Sequence, residues 1–448
     1  MSARPRGRVF YGWWIVLVAF ICHAVNTGMI FYAWGVFFTP LAHEFGGRGP
    51  VASGFSVLQF AAAGYSVMVG RAVDRHGARP VATLGGLVLA TGFFLLGRVG
   101  SLPAFYLCLA GPVALGSTCI GNLPSNSAVA RWFVRRRGRA LGISTAGISA
   151  GGIIFAPLAQ QLIARHGWRT AFTVLGFLAA MLVLPPVLLL MRRDPSDMGL
   201  IPDGDARPQG ADGAAHGAAE LQREIERSIP ADVAFRSANF WLLAAAFGLT
   251  MAGLASVLLY QMPLLLDRGF PESLASLVLG ATAAMGVVGK LGFGALLDRF
   301  DQRRVAAVCF CLQAAGVLLL WQTRSVALLV CYVVLYGYAM GGNATLLASL
   351  NGAAFGRLHY GSIAGRMSPF LVLAQGIGVP ATGYLRDHTG SYGPVLATVV
   401  VASLVAAVVV LRVRLPERLQ RPSPSHTRAG ARCEDSSSAG SSAPRHST

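Results

Sequence analysis

Lys290 is the one lysine among 37 basic residues, and it lies in the apolar run GVVGKLGFGALLDRF (286–300). A lysine ammonium is a compact point charge that binds a carboxylate, and it can release its proton when it is desolvated. Anion binding and proton transfer are therefore the two chemistries that Lys290 could contribute. Asp298 lies eight residues later, near the end of the run. The surroundings of Lys290 therefore depend on the secondary structure of the segment between these two residues.

Further polar side chains interrupt other apolar runs at helical spacing. His23 titrates near neutrality and shares a helix face with Asn26, and Asn122 and Asn126 are paired in the same way. Other candidate ligand-binding side chains are Tyr260, Gln261, Tyr332, Tyr336, Asn343 and Gln375. Each of these could equally bond a neighbouring helix. Because the runs contain no Asp or Glu, Lys290 and His23 are the candidates for proton coupling.

Enzyme chemistry finds no support in the sequence. We see no nucleophile–base arrangement and no cysteine or histidine spacing typical of a metal site. The glycines around Lys290 predict close helix packing and not a phosphate loop. We therefore expect a protein that is not an enzyme and has no cofactor and no bound metal.

The composition is typical of a membrane protein with many spans. Of 448 residues, 54% are hydrophobic and only 12% are charged, with a mean hydropathy of +0.57, whereas soluble domains carry about 25% charged residues. The net charge of +18 could suggest nucleic acid. The arginines, however, cluster in short loops and tails, as orientation in a bilayer requires. We predict a lipid bilayer as the surroundings and no nucleic-acid partner.

Apolar runs long enough for a membrane-spanning helix, about 20 residues, occur twelve times. They are 12–38, 51–70, 80–98, 103–130, 139–162, 169–191, 236–265, 273–297, 305–322, 326–354, 362–384 and 392–413. We predict an all-α membrane protein with twelve transmembrane helices in two pseudo-symmetric six-helix bundles, residues 1–191 and 236–414. A cytoplasmic linker, 192–235, with one possible surface helix at AAELQREIERS (218–228), joins them, and 415–448 is a disordered cytoplasmic tail. The loop arginines place both termini in the cytoplasm, and we expect the plasma membrane.

This architecture predicts how deep Lys290 lies in the membrane. At about 1.5 Å per residue, it lies roughly 12 Å inward from Asp298, near the middle of an apolar layer about 30 Å thick. A charge there costs about 2.5–3.5 kcal/mol, so we expect the ammonium to face the bundle interior or a water-filled cavity. The alternative is a side chain that extends back to the membrane surface.

One sequence pattern occurs twice. Asp74 and Asp298 are 224 residues apart, as are Gly70 and Gly294. Such a duplication is typical of transporters whose substrate site lies between two halves near mid-membrane. The chain contains no phosphate-loop motif for ATP, so we expect transport to be driven by gradients.

The first copy resembles the signature of the major facilitator superfamily, Gly-x-x-x-Asp-Arg/Lys-x-Gly-x-Arg/Lys. Its residues are Gly70, Asp74, Arg75, Gly77 and Arg79, and the second copy keeps Gly294, Asp298 and Arg299. The resemblance implies that these residues, together with Arg131, make charge contacts that hold the cytoplasmic side closed. A role limited to topology and a tight turn is the alternative. The second copy departs from the pattern at Asp301.

The stretch WFVRRRGRALGISTAGISAGG (132–152) resembles the fifth-helix signature of the monocarboxylate porters. YAWGVFF (32–38) is similar to the end of the first helix in bacterial members and in oxalate:formate exchangers. In these families an arginine at the position of Lys290 holds the substrate carboxylate. Proton-linked porters carry an aspartate four residues earlier, where this chain has Gly286.

This resemblance implies a secondary transporter that moves a small organic monocarboxylate by alternating access. Proton symport and anion exchange both stay open, and we expect a functional monomer. An exporter of a larger amphipathic compound would keep the fold and have a wide apolar cavity in which Lys290 matters little. A transporter-like sensor would need a partner domain, which neither the linker nor the tail offers.

Overall fold

The computed structural model describes residues 10–45, 48–204 and 228–415, and within them the chain is helical with no strand. The N-terminal half contains α1 (Gly12–Thr27, Gly28–Tyr32 and Ala33–Glu44), α2 (Arg48–His76), α3 (Ala78–Leu96), α4 (Leu102–Trp132), and α5 and α6 within Arg137–Leu190. The C-terminal half contains α7 (Ala238–Asp267), α8 (Glu272–Arg299), α9 (Gln302–Trp321), α10 (Val326–Phe355), α11 (Tyr360–Thr389) and α12 (Gly393–Leu411).

Helices α5 and α6 are separated at Gly167, where φ is +77°, a conformation that glycine adopts most readily. In the described part of the chain, nine helical stretches are long and apolar enough to span a membrane, and Arg137–Leu190 counts as one of them. Two long helices, α2 and α11, fall outside that set and pack against each other across the two halves. The predicted all-α fold is confirmed, while the count of twelve spans stays a prediction.

Apolar side chains fill the interior of each half and also cover its outside. In the N-terminal half, Trp132 and Phe133 are fully buried in an aromatic cluster. A second core joins residues between 257 and 400. Leu189, Phe177 and Ile153 are more than half exposed, as expected of helices that face lipid. The predicted domain boundaries stay predictions.

The described ends of the segment between the halves are bound to helix turns. Both carboxylate oxygens of Asp203 accept hydrogen bonds from the backbone N–H groups of residues 134–136, at 2.7–3.1 Å. Asp194 pairs with Arg131 at 3.3 Å. Ile229 N–H donates to the carbonyl of Phe355 at 3.0 Å. Most of the surface helix predicted at 218–228 lies outside the described residues.

Candidate functional site

A cavity of about 320 Å³ lies between the two halves. Helices α1, α2 and α4 line it on one side, and α7, α10 and α11 on the other. Its polar wall consists of Asn26, Gln59, Ser66, Ser117, Thr118, Asn122, Asn126, Asn351, Tyr360, Ser368 and Gln375. No charged side chain is among the described residues that line it. The volume suits a small molecule, because ligand sites start at about 300 Å³.

Hydrogen bonds tie the N-terminal wall of the cavity together. The carboxamide oxygen of Asn26 accepts from the Ser117 hydroxyl at 2.8 Å, and His23 Nε2 lies 3.3 Å from the Asn126 carboxamide oxygen. Since that oxygen only accepts, Nε2 carries the proton in this pair. His23 is fully buried, and its Nδ1 has no partner within the described chain. Nδ1 therefore keeps an acceptor lone pair without a partner in the described chain.

Lys290, on α8, has only 6% of its surface exposed and is not among the described residues that line the cavity. Its ammonium donates to the Ser149 hydroxyl on α5 at 2.9 Å and to the carbonyl of Gly286 at 3.4 Å. In the described part of the chain, no carboxylate pairs with it. Asn126 thus connects the cavity surface to the buried His23.

The structure divides the predicted binding residues into three groups. Asn26, Asn122, Asn126 and Gln375 line the cavity together, whereas His23 and Lys290 are buried and do not line it as described. The third group lies within the C-terminal half and does not line the cavity as described; it comprises Tyr260, Gln261, Tyr332, Tyr336 and Asn343.

Polar groups of the third set bond one another or the backbone. Tyr332 donates to the carboxamide oxygen of Gln261 at 2.8 Å, and the rings of Tyr332 and Tyr336 stack at 5.3 Å. Gln261 and Tyr260 border a separate space of about 10 Å³. Asn343 donates to a backbone carbonyl on its own helix, 3.4 Å away. Their contact with a ligand stays a prediction.

The repeated aspartates each cap a helix of the opposite half. Asp74 at the end of α2 accepts from the N–H groups of Gly361 and Ser362, at 2.9 and 2.7 Å, in the first turn of α11. Asp298 at the end of α8 accepts from Gly138 and Arg139, at 2.7 and 3.1 Å, in the first turn of α5. A carboxylate at a helix N-terminus satisfies free N–H groups and complements the helix dipole. We call the end of the bundle that carries these caps the motif end.

Other motif residues also lie at the motif end. The backbone of Gly70 lies against Gly361, and that of Gly294 lies against Gly138, so closely that a Cβ would collide with the facing carbonyl. Gly77 has φ +85° between α2 and α3. Arg79 donates to the carbonyl of Leu188 at 2.6 Å, and the backbone carbonyl of Arg131 accepts from Arg357 at 2.9 Å. Arg75 and Arg299 are exposed in the last turns of α2 and α8.

Asp301, which departs from the repeated pattern, caps a helix of its own half. It accepts from the N–H groups of Arg303 and Arg304 at 2.9 and 3.3 Å and pairs with the Arg303 side chain at 3.0 Å. The Arg303 guanidinium holds the pKa of the Asp301 carboxyl below its usual value. Its contacts therefore stabilise the start of α9 and do not cross between the halves.

Sequence reasoning missed Ser149 and Asn351. Ser149 is the partner of Lys290, and it follows Gly142 and Thr145 on one face of the predicted fifth helix, which is the signal that was available. Asn351 lines the cavity, and its carboxamide oxygen is buried with no partner in the described part of the chain. We find no pattern in the sequence that separates Asn351 from the other amides.

Two packed sets of helices with a polar cavity between them define the architecture of a membrane transporter. The family model of the Major Facilitator Superfamily matches residues 16–301 and 262–443. The chain belongs to this superfamily. It is a multi-pass membrane protein and a secondary transporter of a small molecule, not an enzyme.

Its relatives include monocarboxylate transporters. The chain is 28% identical over 408 residues to monocarboxylate transporter 11 of Homo sapiens, covering 88% of this chain and 81% of that one. It is 26% identical over 350 residues to monocarboxylate transporter 12 of Rattus norvegicus, covering 75% and 72%. The fold is similar to a proton:xylose symporter structure, with a TM-score of 0.69 at 13% identity, covering 90% of this chain and 96% of that one. It is also similar to the E. coli fucose:proton symporter, with a TM-score of 0.65 at 15% identity, covering 91% and 98%.

Proposed function

We propose that this transporter moves a small organic monocarboxylate by alternating access, with Lys290 as the group that holds the carboxylate. The observation that carries the proposal is a buried ammonium without an acidic partner in the described chain. A desolvated charge is stable only when it is paired or when it loses its proton. A carboxylate arriving through the cavity would supply the missing partner, and one positive charge suits one carboxyl group.

The amides of the cavity wall would bind the rest of the substrate. Asn26, Asn122, Asn126 and Gln375 offer both donors and acceptors, so they suit an organic acid that carries further polar groups. The predicted roles of Tyr260, Gln261, Tyr332, Tyr336 and Asn343 would require them to turn toward the cavity in another state of the transport cycle.

We further propose that the motif end is the cytoplasmic gate. The caps of Asp74 and Asp298 join the halves there, and they can form and break as whole units. Arg75, Arg79, Arg131 and Arg299 would add charge contacts in the closed state. In this proposal both termini are cytoplasmic, the plasma membrane is the site of action, and the monomer is the working unit.

Proton coupling is assigned to Lys290 and His23. A desolvated, empty Lys290 can lose its proton, and a bound carboxylate would restore its charge, so that proton and acid move together. His23 Nδ1 is the rival acceptor. Lys290→Arg separates the two, because arginine stays charged. Proton-linked accumulation that survives in this variant would exclude Lys290 as the carrier, and its survival in His23→Gln would exclude His23.

Thermal unfolding of the purified protein tests the substrate class. The panel is acetate, propionate, lactate, pyruvate and benzoate, with oxalate and succinate as dicarboxylates. A ligand at 100 times its Kd should add about 2.7 kcal/mol to stability. We expect monocarboxylates to stabilise the wild type and not Lys290→Gln. Thr282→Val, which alters another fully buried polar side chain of α8, is the matched control and should respond like the wild type.

One observation favours a second candidate. The described cavity wall has no charged side chain, which suits an uncharged amphipathic compound, the substrate class of an exporter. A volume of about 320 Å³ is small for a large ligand. Equal responses to acids in the wild type and Lys290→Gln, or no response in either, would favour this candidate and return Lys290 to a structural role.

A further inference from the structure

The internal repeat relates Lys290 to a residue of the other half. The offset of 224 that maps Asp74 onto Asp298 also maps Ser66 onto Lys290. The Ser66 hydroxyl lies 2.8 Å from the carbonyl of Gly365 on α11, across the halves, and 2.6 Å from the carbonyl of Ala63 in its own helix, so the two carbonyls share its one proton. Lys290 donates across the halves to Ser149 on α5. Each residue thus closes the inner end of a contact between the halves.

We give each of these two contacts between the halves a name. The α2–α11 seam is formed by Ser66, Gly70 and Asp74 against Gly361, Ser362 and Gly365. The α5–α8 seam is formed by Gly138, Arg139, Gly142 and Ser149 against Lys290, Gly294 and Asp298. Both have an aspartate cap at the motif end and paired glycines in the middle. They differ at the inner end, where one has a neutral hydroxyl and the other an ammonium.

The α5–α8 seam leaves Lys290 little freedom. A Cβ on Gly142 would lie 2.6 Å from the carbonyl of Lys290, so the two backbones are nearly in contact. Ser149 lies two helical turns farther along α5, and it is as buried as Lys290. The ammonium therefore extends along the seam to reach Ser149 and does not enter the cavity wall. To meet a ligand in the cavity it must leave Ser149.

We propose that Ser149 is a positioning residue that holds Lys290 on the N-terminal half in the empty transporter, and that a carboxylate ligand displaces it. This inference rests on the proposed function. A carboxylate is a stronger acceptor for an ammonium than a hydroxyl is. Binding would thus remove one contact between the halves from the α5–α8 seam and leave the α2–α11 seam unchanged. The ligand would loosen the motif end on one side.

Whether Ser149→Ala raises or lowers the carboxylate affinity distinguishes a positioning role of Ser149 from direct contact with the substrate. In Ser149→Ala, no hydroxyl competes with the ligand for the Lys290 ammonium, so a carboxylate should bind at least about tenfold more tightly. If Ser149 instead touched the substrate, the same variant would bind it more weakly. Ser149→Thr keeps the hydroxyl and should restore wild-type affinity.

Thr145→Val is the matched control. Thr145 lies one turn earlier on α5, is fully buried, and bonds the Thr345 hydroxyl of the other half at 2.9 Å. Its loss also weakens the contact between the halves, but it leaves the Lys290–Ser149 bond intact. We expect its carboxylate affinity to stay within about twofold of the wild type.

Distances between spin labels measure the opening of the motif end. Val134 and Phe300 are exposed at that end, one in each half, and accept labels in the full chain after its native cysteines are replaced. Double electron–electron resonance is recorded without ligand and with each monocarboxylate of the panel. We expect Ser149→Ala and Lys290→Gln each to raise the open fraction about tenfold without ligand. The double variant should add nothing, since both changes break the same bond.

Several results would overturn the proposal: additive effects of the two variants, weaker binding by Ser149→Ala, or equal effects of Ser149→Ala and Thr145→Val. If the alanine variant does not fold, Ser149→Val, which has the shape of the threonine variant but no hydroxyl, must shift the distances in the same direction. The ligand-free distances need no substrate. They test the role of Ser149 even if no carboxylate binds, whereas that failure would refute the proposed function alone.

Discussion

Replacing Asp298 by asparagine tests whether the aspartate caps close the motif end. Both carboxylate oxygens of Asp298 accept a backbone N–H of α5, and its side chain is only 11% exposed, so water screens these bonds little. Asparagine keeps one accepting oxygen and turns an NH₂ group toward the second N–H. Losing a cap costs about 0.5–2 kcal/mol, and losing the charge at a helix start costs about 0.3–1 kcal/mol.

A combined loss of about 2 kcal/mol would shift the equilibrium between the closed and open motif end about 30-fold toward open. The spin-label pair at Val134 and Phe300 reports this shift. Asp301→Asn is the control, because Asp301 caps a helix within its own half; it should lower the melting temperature and leave the distances unchanged. Equal shifts in both variants, or none in Asp298→Asn, would refute the capping mechanism.

Two further predictions concern packing and pH. In Gly142→Ala the new methyl group would lie 2.6 Å from the Lys290 carbonyl, which should lower the stability of the protein by about 1–3 kcal/mol. In Gly64→Ala the methyl group meets no atom within 4 Å, so the higher helix propensity of alanine should raise the stability by up to about 1 kcal/mol. The melting temperatures of both variants measure these changes. Because Arg303 holds the pKa of Asp301 below its usual value, the stabilisation by Asp301 is complete above the unfolded pKa near 4 and is lost as the pH falls through the folded pKa. The melting temperature lost in Asp301→Asn should be equal at pH 6 and pH 8 and smaller at pH 3.

Features set by local pattern were predictable from the sequence. Runs of apolar residues predicted the helices, since a backbone in lipid must satisfy its own hydrogen bonds. The break at Gly167 falls between two predicted helices, where a positive φ requires glycine. The repeat predicted that Asp74 and Asp298 occupy equivalent positions in the two halves, because both copies carry the same residues at the same spacing.

The pairing of polar side chains was not predictable in the same way. Helix periodicity places Gln261 and Tyr332 on faces that could meet a ligand, but it does not say which polar group lies opposite. The structure pairs these two side chains with each other, which satisfies both without a ligand. Ser149 is 141 residues from Lys290, and only the packing of α5 on α8 brings them together. Long-range contacts of this kind depend on rotations of whole helices, which one sequence does not specify.

The position of Lys290 matters because a ligand shifts a conformational equilibrium only by the difference in its affinity for the two states. A substrate held only by Asn26 and Asn126, which bond partners within the N-terminal half, would move with that half and bind both states alike. Lys290 donates to the opposite half, so a ligand that captures it changes the contact between the halves. Recognition of the substrate charge and opening of the gate would then be one event. Only the α5–α8 seam would respond to the ligand, because Ser66, at the equivalent position of the α2–α11 seam, carries no charge.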